Sequence, residues 1–233
     1  MTTRLEKIFD LTPTVRTFRL RFPEGKWAPF KAGQFASIHI PHDAKVLRKP
    51  YSICSAPHET GYIDLCIKHV EGGYATGWFW ERKIGDEIVI TIPYGGFLMK
   101  EPFDYDFVFV ATGTGLTPLR SMILTLYHDN LLPAGRHVWL IFGVRHDNEI
   151  LYDDEWKALA KQQPNFHYIP TVSRPKGWRG EVGYVQEKLK KFITDPHGKQ
   201  IYVCGLIPMI NAVQQAAREI GFDEKHIHFE KYV

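Results

Sequence analysis

Val110-Ala111-Thr112-Gly113-Thr114-Gly115-Leu116-Thr117-Pro118-Leu119 is the stretch that decides the fold. It continues an apolar run and carries, at Pro118, a proline suited to the first turn of a helix. A buried strand turning through two glycines into a helix is the opening of a βα unit. Glycines there let a phosphate approach backbone N–H groups at the positive helix end. The details exclude two common versions of such a turn. Pro118 stands where the usual dinucleotide fingerprint has its third glycine, and Gly143-Val144-Arg145 stands where that fingerprint would end its second strand on an acid. The Lys-Ser/Thr pair of a nucleoside-triphosphate loop is missing as well.

Towards the C-terminus, apolar segments at 107–111, 138–142, 167–172, 201–204 and 227–230 alternate with segments of period 3.6 at 118–129, 153–161, 184–192 and 208–220. That alternation predicts a doubly wound parallel sheet, with ligands beyond the carboxyl ends of its strands. Towards the N-terminus the pattern is different. Short alternating runs at 15–22, 35–40, 62–70 and 87–92, broken by Gly and Pro, predict an antiparallel β-barrel. One interruption, 72–82, offers Thr76 as the cap of a brief helix starting near it. The pattern changes after Pro93-Tyr94-Gly95-Gly96 and a connector containing Pro102, which predicts domains at 1–101 and 102–233.

Composition narrows the function. The 233 residues are 44% hydrophobic and 24% charged, enough apolar volume for two packed cores. With 29 Lys+Arg against 26 Asp+Glu, the charge is too balanced for a dedicated nucleic-acid binder. Cys54, Cys66 and Cys204 are too few and too scattered for a disulfide framework, a four-thiolate metal site or an iron–sulfur cluster. The His residues show no ligand spacing, so no metal site is expected. The N-terminus carries charges where a leader needs its apolar core, and no window reaches the ~18 apolar residues of a span. The expectation is a cytoplasmic chain without membrane insertion.

Arg48-Lys49-Pro50-Tyr51-Ser52-Ile53 lies between the barrel strands and joins two cations, a rigid proline, an aromatic ring and a small hydroxyl. The cations can neutralise pyrophosphate, the ring can stack on a fused heterocycle and the hydroxyl can donate to a ring nitrogen. Together they suit a flavin nucleotide.

The ordered set RKPYS (48–52), GGYAT (72–76), PYGGF (93–97), ATGTGLTP (111–118), VSRP (172–175) with WRGEVG (178–183), and VCGLIPM (203–209) before a terminal FEKYV (229–233) resembles the ferredoxin–NADP reductase superfamily over essentially the whole chain. The resemblance implies an FAD-dependent NAD(P)H oxidoreductase. Tyr51 would stack on the isoalloxazine and Ser52 would reach its N5. Arg48 and Lys49, with Pro50 between them and the Tyr, would serve the pyrophosphate. The family's usual Arg two places before the Tyr is Lys49 here, so both cations remain candidates. Gly72, Gly73 and Thr76 would cover the FAD phosphates.

On the nicotinamide side the resemblance gives Thr112, Gly113, Thr114 and Gly115 the NAD(P) pyrophosphate. Cys204, Gly205, Pro208 and Met209 would lie by the nicotinamide, with Glu230 near the redox centre and Tyr232 as a ring covering it. Arg145, Ser173 and Arg174 fall at the adenosine ribose and favour NADP over NAD. Ser52, Cys204 and Glu230 are the candidate catalytic groups. The implied chemistry is hydride transfer between NAD(P)H and FAD, then electron release to a separate ferredoxin-type iron–sulfur protein, since these three cysteines hold no cluster. Lys45, Arg48 and Lys49 would form a basic lip for that partner, and the chain would act as a monomer. Two alternatives stay open: an NAD(P)H:flavin reductase, and a non-catalytic flavin- or nucleotide-binding subunit of a larger redox complex.

Overall fold

The computed structural model describes residues 1–232; Val233, the last residue of the terminal motif, lies outside them. The chain divides into two compact units, Met1–Met99 with Arg120–Asp129, and Lys100–Leu119 with the chain from Asn130 onward.

The first unit holds β1 (Thr2–Thr12), β2 (Val15–Arg21), β3 (Phe35–His42), β4 (Lys45–Ser52), β5 (Tyr62–Lys68), helix α1 (Tyr74–Trp80) and β6 (Glu87–Tyr94). They form an antiparallel sheet in the order β4-β3-β6-β1-β2-β5. The sheet curls closed: Ile53, just past β4, bridges Leu65 of β5, and Cys54 N donates to Asp64 O at 2.9 Å. This is the expected barrel, because alternate residues such as Phe18 and Leu20, or Ala36, Ile38 and Ile40, point inward and are fully buried.

Two local expectations are corrected and one strand is added that the pattern does not show. The Arg48–Ser52 segment is not a link between strands but part of edge strand β4; its run of exposed cations and its proline are compatible with an edge and hide the strand pattern. The charged N-terminal segment forms β1, whose pairing with β2 slips between Leu5/Lys7 and between Asp10/Thr12, spoiling the alternation. Thr76 does not cap α1. The helix starts at Tyr74 with Gly73 in the cap position, and the Thr76 hydroxyl turns back, donating to Gly73 O (3.1 Å) and accepting from Val70 N (3.1 Å).

The second unit is built on β7 (Asp106–Thr112), β8 (Val138–Val144), β9 (Phe166–Val172), β10 (Glu181–Val182), β11 (Lys199–Leu206) and β12 (Ile227–Tyr232). All pair in parallel, in the order β10-β9-β8-β7-β11-β12. Helix α2 (Leu116–His128) follows β7, α3 (Asp153–Gln162) follows β8, α4 (Val185–Phe192) follows β10 and α5 (Ile207–Ile220) follows β11. The residues 107–111 are fully buried, as a strand covered on both faces by helices requires. The sheet grows one way from β7 through β8 and β9 and the other way through β11 and β12. The switch point therefore falls between β7 and β11, where Ala111 pairs with Cys204. Among the described residues, no helix is long and apolar enough to cross a membrane.

Candidate functional site

At the switch point of the second unit, β7 ends on extended Thr112, and Gly113–Gly115 make a single tight turn before α2. Gly113 has φ +53° and nothing within 4 Å of where a Cβ would lie, so this side of the turn is open. Gly115 is the opposite case. A Cβ there would lie 2.2 Å from the Cys204 carbonyl oxygen, so only glycine lets the turn press against β11. The Thr117 hydroxyl donates to Thr114 O at 2.6 Å and holds the turn closed. Gly205, one residue past Cys204, has φ +153°, and a Cβ there would meet Met209 Cε at 2.5 Å and Thr112 Oγ1 at 2.9 Å. Thr112, Gly115, Cys204, Gly205 and Met209 are therefore one cluster, with Pro208 in the first turn of α5 beside it.

The end of β12 completes that cluster, because Glu230 pairs with Cys204 and Tyr232 with Leu206. Burial, reinforced by the Glu230 carboxylate, pushes the Cys204 thiol well above its ordinary value, while a hydrogen bond with Tyr232 pulls the other way. Cys204 is a neutral, buried thiol.

A second group forms at the ends of β8 and β9. Ser173 N donates to Val144 O (3.0 Å) and Arg174 N to Arg145 O (2.8 Å), so Arg145, Ser173 and Arg174 are drawn together. Neither guanidinium has an ion-pair partner among the described residues. His146 and Glu149, which no motif in the sequence marks as functional, secure this corner. His146 Nδ1 lies 3.0 Å from Arg174 O, and Glu149 Oε2 accepts from Arg145 N and His146 N, both at 3.1 Å. The signal was present as an acid three residues after His146, the spacing of a capping box.

In the first unit, β4 aligns Tyr51 with Ala36, Pro50 with Ser37, Lys49 with Ile38 and Arg48 with His39. Directly paired residues share a face, so Lys49 and Tyr51 project on the side of buried Ala36 and Ile38, whereas Arg48 projects with His39. Consistent with that, burial and the nearby Arg48 charge together hold His39 below its ordinary value. Tyr51 meets Phe79 of α1 edge-on, centroids 5.3 Å apart. Burial pushes its phenol up to about 12, so it stays neutral. Ser52 is buried at the end of the strand.

Gly72, Gly73 and Thr76 form their own group at the start of α1. Gly72 (φ +71°) borders open space, and a Cβ on Gly73 would lie 2.8 Å from Thr76 Oγ1. Lys45, Arg48 and Lys49 are exposed and have no ion-pair partner among the described residues. Cys54 and Cys66 are buried in this unit, Cys54 Sγ donating to Asp64 O at 3.2 Å.

The donor set fits the two nucleotides on observations of this molecule. Cations without carboxylate partners stand beside a half-buried ring and a hydroxyl in one unit. An open glycine turn at a topological switch point stands near two unpaired guanidinium groups in the other.

Comparison with known proteins agrees. The family described as oxidoreductase FAD-binding domain matches residues 2–98, and that described as oxidoreductase NAD-binding domain matches 109–215. Ferredoxin--NADP reductase B of Sorangium cellulosum is 34% identical, over 98% of this chain and 96% of the relative. The phenol hydroxylase P5 protein of Acinetobacter pittii is 32% identical over 97% of this chain, which spans 64% of that longer relative. Among solved structures, the Neisseria gonorrhoeae ferredoxin NADP+ reductase with bound FAD and NADP superposes with a TM-score of 0.87 at 22% identity, covering 99% of this chain and 98% of the other. The Amycolatopsis cytochrome P450 reductase gives 0.89 at 24% identity, over 99% and 68%.

Proposed function

This chain belongs to the ferredoxin–NADP reductase superfamily of FAD-dependent NAD(P)H oxidoreductases, and from that premise we propose that it delivers electrons to a separate, acidic ferredoxin-type iron–sulfur protein, with NADPH as the favoured donor. Bound FAD supplies the exchange between a two-electron hydride donor and a one-electron acceptor.

The observation that carries the acceptor is the short row of exposed cations Lys45 and Arg48, without ion-pair partners among the described residues, on the edge strand that ends in Tyr51 and Ser52, with Lys49 beside them left to the FAD pyrophosphate. Such a row attracts an acidic protein to the strand that carries the flavin-facing residues. The Sorangium relative, matched over nearly its full length, bears the name of a ferredoxin reductase.

The chain's own residues bind, orient and exclude. Lys49, on the Tyr51 face, would hold the FAD pyrophosphate, and Gly72, Gly73 and Thr76 would border it. Neutral Tyr51, braced against Phe79, offers a ring face, and Ser52 a hydroxyl donor. Backbone N–H groups of residues 112–115 would cradle the NAD(P) pyrophosphate. Arg145, Ser173 and Arg174 would take a 2′-phosphate through charge-assisted bonds. Cys204 fills the switch point as an uncharged side chain, with Glu230 paired beside it.

Two measurements test this. Raising ionic strength from low salt to 0.5 M slows ferredoxin reduction at least about tenfold while NADPH oxidation by ferricyanide stays within twofold; equal salt sensitivity of the two assays overturns the docking reading. Arg174→Ala raises the KM for NADPH about tenfold and leaves that for NADH unchanged. An equal effect on both donors removes the case for NADPH.

A further inference from the structure

The first unit gathers His58, His128 and Asp129, none of which is assigned to a nucleotide. His58 sits in the connection between β4 and β5, His128 is the last residue of α2, and Asp129 follows it. One ligand atom from each of the three lies within 4.8 Å of the others. The two imidazoles lie face to face, centroids 3.4 Å apart and planes 9° from parallel. His128 Nδ1 lies 2.7 Å from Asp129 Oδ1, and His58 Nδ1 is buried with no hydrogen-bond partner.

A buried ring nitrogen without a partner is uncommon and calls for a reason. Here the surroundings are rigid. Arg120 Nη1 donates to Cys54 O (2.6 Å) and Ser121 Oγ to Ser55 O (2.7 Å), which pins α2 to the segment carrying His58. Glu59, next in the chain, accepts from Ala56 N (2.8 Å) and from Tyr62 OH (2.6 Å), which fixes the loop itself. The two chain segments that carry the imidazoles are thus held together by bonds that do not involve either ring.

We propose that His58, His128 and Asp129 bind one divalent transition-metal ion of the zinc class. Two imidazole nitrogens and a carboxylate oxygen are a borderline donor set that suits Zn2+ or Co2+, not the all-oxygen preference of Mg2+ and Ca2+. Bonds of about 2.0–2.2 Å from a tetrahedral ion put ligand atoms roughly 3.3–3.6 Å apart, so closure needs a shift of about an ångström. An ion lies in the plane of each ring it binds, so the stack must open. The ring with room to turn is that of His128, whose side chain is 57% exposed, while half-buried His58 would stay in place. The ion would tie the β4–β5 connection to the last turn of α2, with water in its fourth position. Sequence spacing could not show this, because the two histidines are distant along the chain and meet only through the packing of α2.

The test uses the tag-free protein with its flavin bound, treated with chelator and titrated with Zn2+ by calorimetry, with thermal unfolding followed in parallel. The expected result is one saturable equivalent and, at about a hundredfold excess over the dissociation constant, a rise of about 5 °C in unfolding temperature. His128→Ala weakens binding at least tenfold and abolishes the shift, Asp129→Asn weakens it less, and Mg2+ produces neither effect. Flavin absorbance reports that each variant is folded. Because His128 is exposed, its variant decides the matter even if His58→Ala destabilises the loop. Unchanged stoichiometry and affinity in His128→Ala, or no saturable binding below millimolar Zn2+ in the unaltered protein, overturns the proposal.

Discussion

The two proposed cradles are built by different means. After β7 the proposed recognition surface is backbone: the turn 113–115 is fixed by a glycine pressed against the Cys204 carbonyl, and little else could stand there. Along β4 the surface is side chain: Lys49, Tyr51 and their neighbours project from an exposed edge strand, and each can change without moving the chain. A backbone cradle fails as a whole when its packing is disturbed, whereas a side-chain cradle loses affinity one contact at a time.

The largest effect is expected at Gly115. In Gly115→Ala the new Cβ meets a backbone oxygen that no rotamer can move, so the turn must shift by about an ångström. The KM for NADPH, read with ferricyanide, should rise at least about a hundredfold while FAD content is retained. Gly113→Ala meets no protein atom, so the turn itself need not shift; the fold bears only the left-handed strain of about 1–2 kcal/mol, and the rise in KM should be smaller. Equal loss in the two variants would break the contrast.

A smaller, graded effect belongs to β4. Lys49→Ala should weaken FAD binding about tenfold, measured by fluorescence quenching on titration into deflavinated protein, and Arg48→Ala less than about threefold. The distinction follows from strand register alone, and reversal of the order would show that the pyrophosphate lies on the His39 face.

The smallest effect is at Cys204. Its thiol is held above the ordinary value of about 8.5, so the folded state keeps a proton that the unfolded chain releases. That contribution is intact below about pH 8.5 and is lost progressively as pH rises above it. The unfolding free energy of the unaltered protein should therefore fall more steeply at alkaline pH than that of Cys204→Ala, by up to about 1.4 kcal/mol per pH unit. Parallel curves would mean that the thiol is not shielded by burial beside Glu230.

Legibility in the sequence followed the same division. The parallel sheet could be read because both its faces are covered, so strands such as 107–111 are unbroken apolar runs and the helices between them keep their period. Edge strand β4 was concealed by Arg48, Lys49 and Pro50, residues suited to an edge and ordinarily read as loop. Slips in register did the same to β1. The start of α1 is hidden in the sequence because a Thr near a helix start has the chemistry of a cap, whereas Thr76 bonds backward to residues 70 and 73. Groups assembled across the chain, such as Arg145 with Arg174 through His146 and Glu149, or His58 with His128, depend on packing that no local spacing encodes.

The most direct test of the reductase reading is the visible spectrum of the purified protein, followed anaerobically on adding NADPH and, separately, NADH. The expected result is a yellow protein with one FAD per chain, bleached by NADPH at a lower concentration than by NADH. A colourless preparation that reduces only added flavin, or a bound FAD that neither donor bleaches, would contradict it.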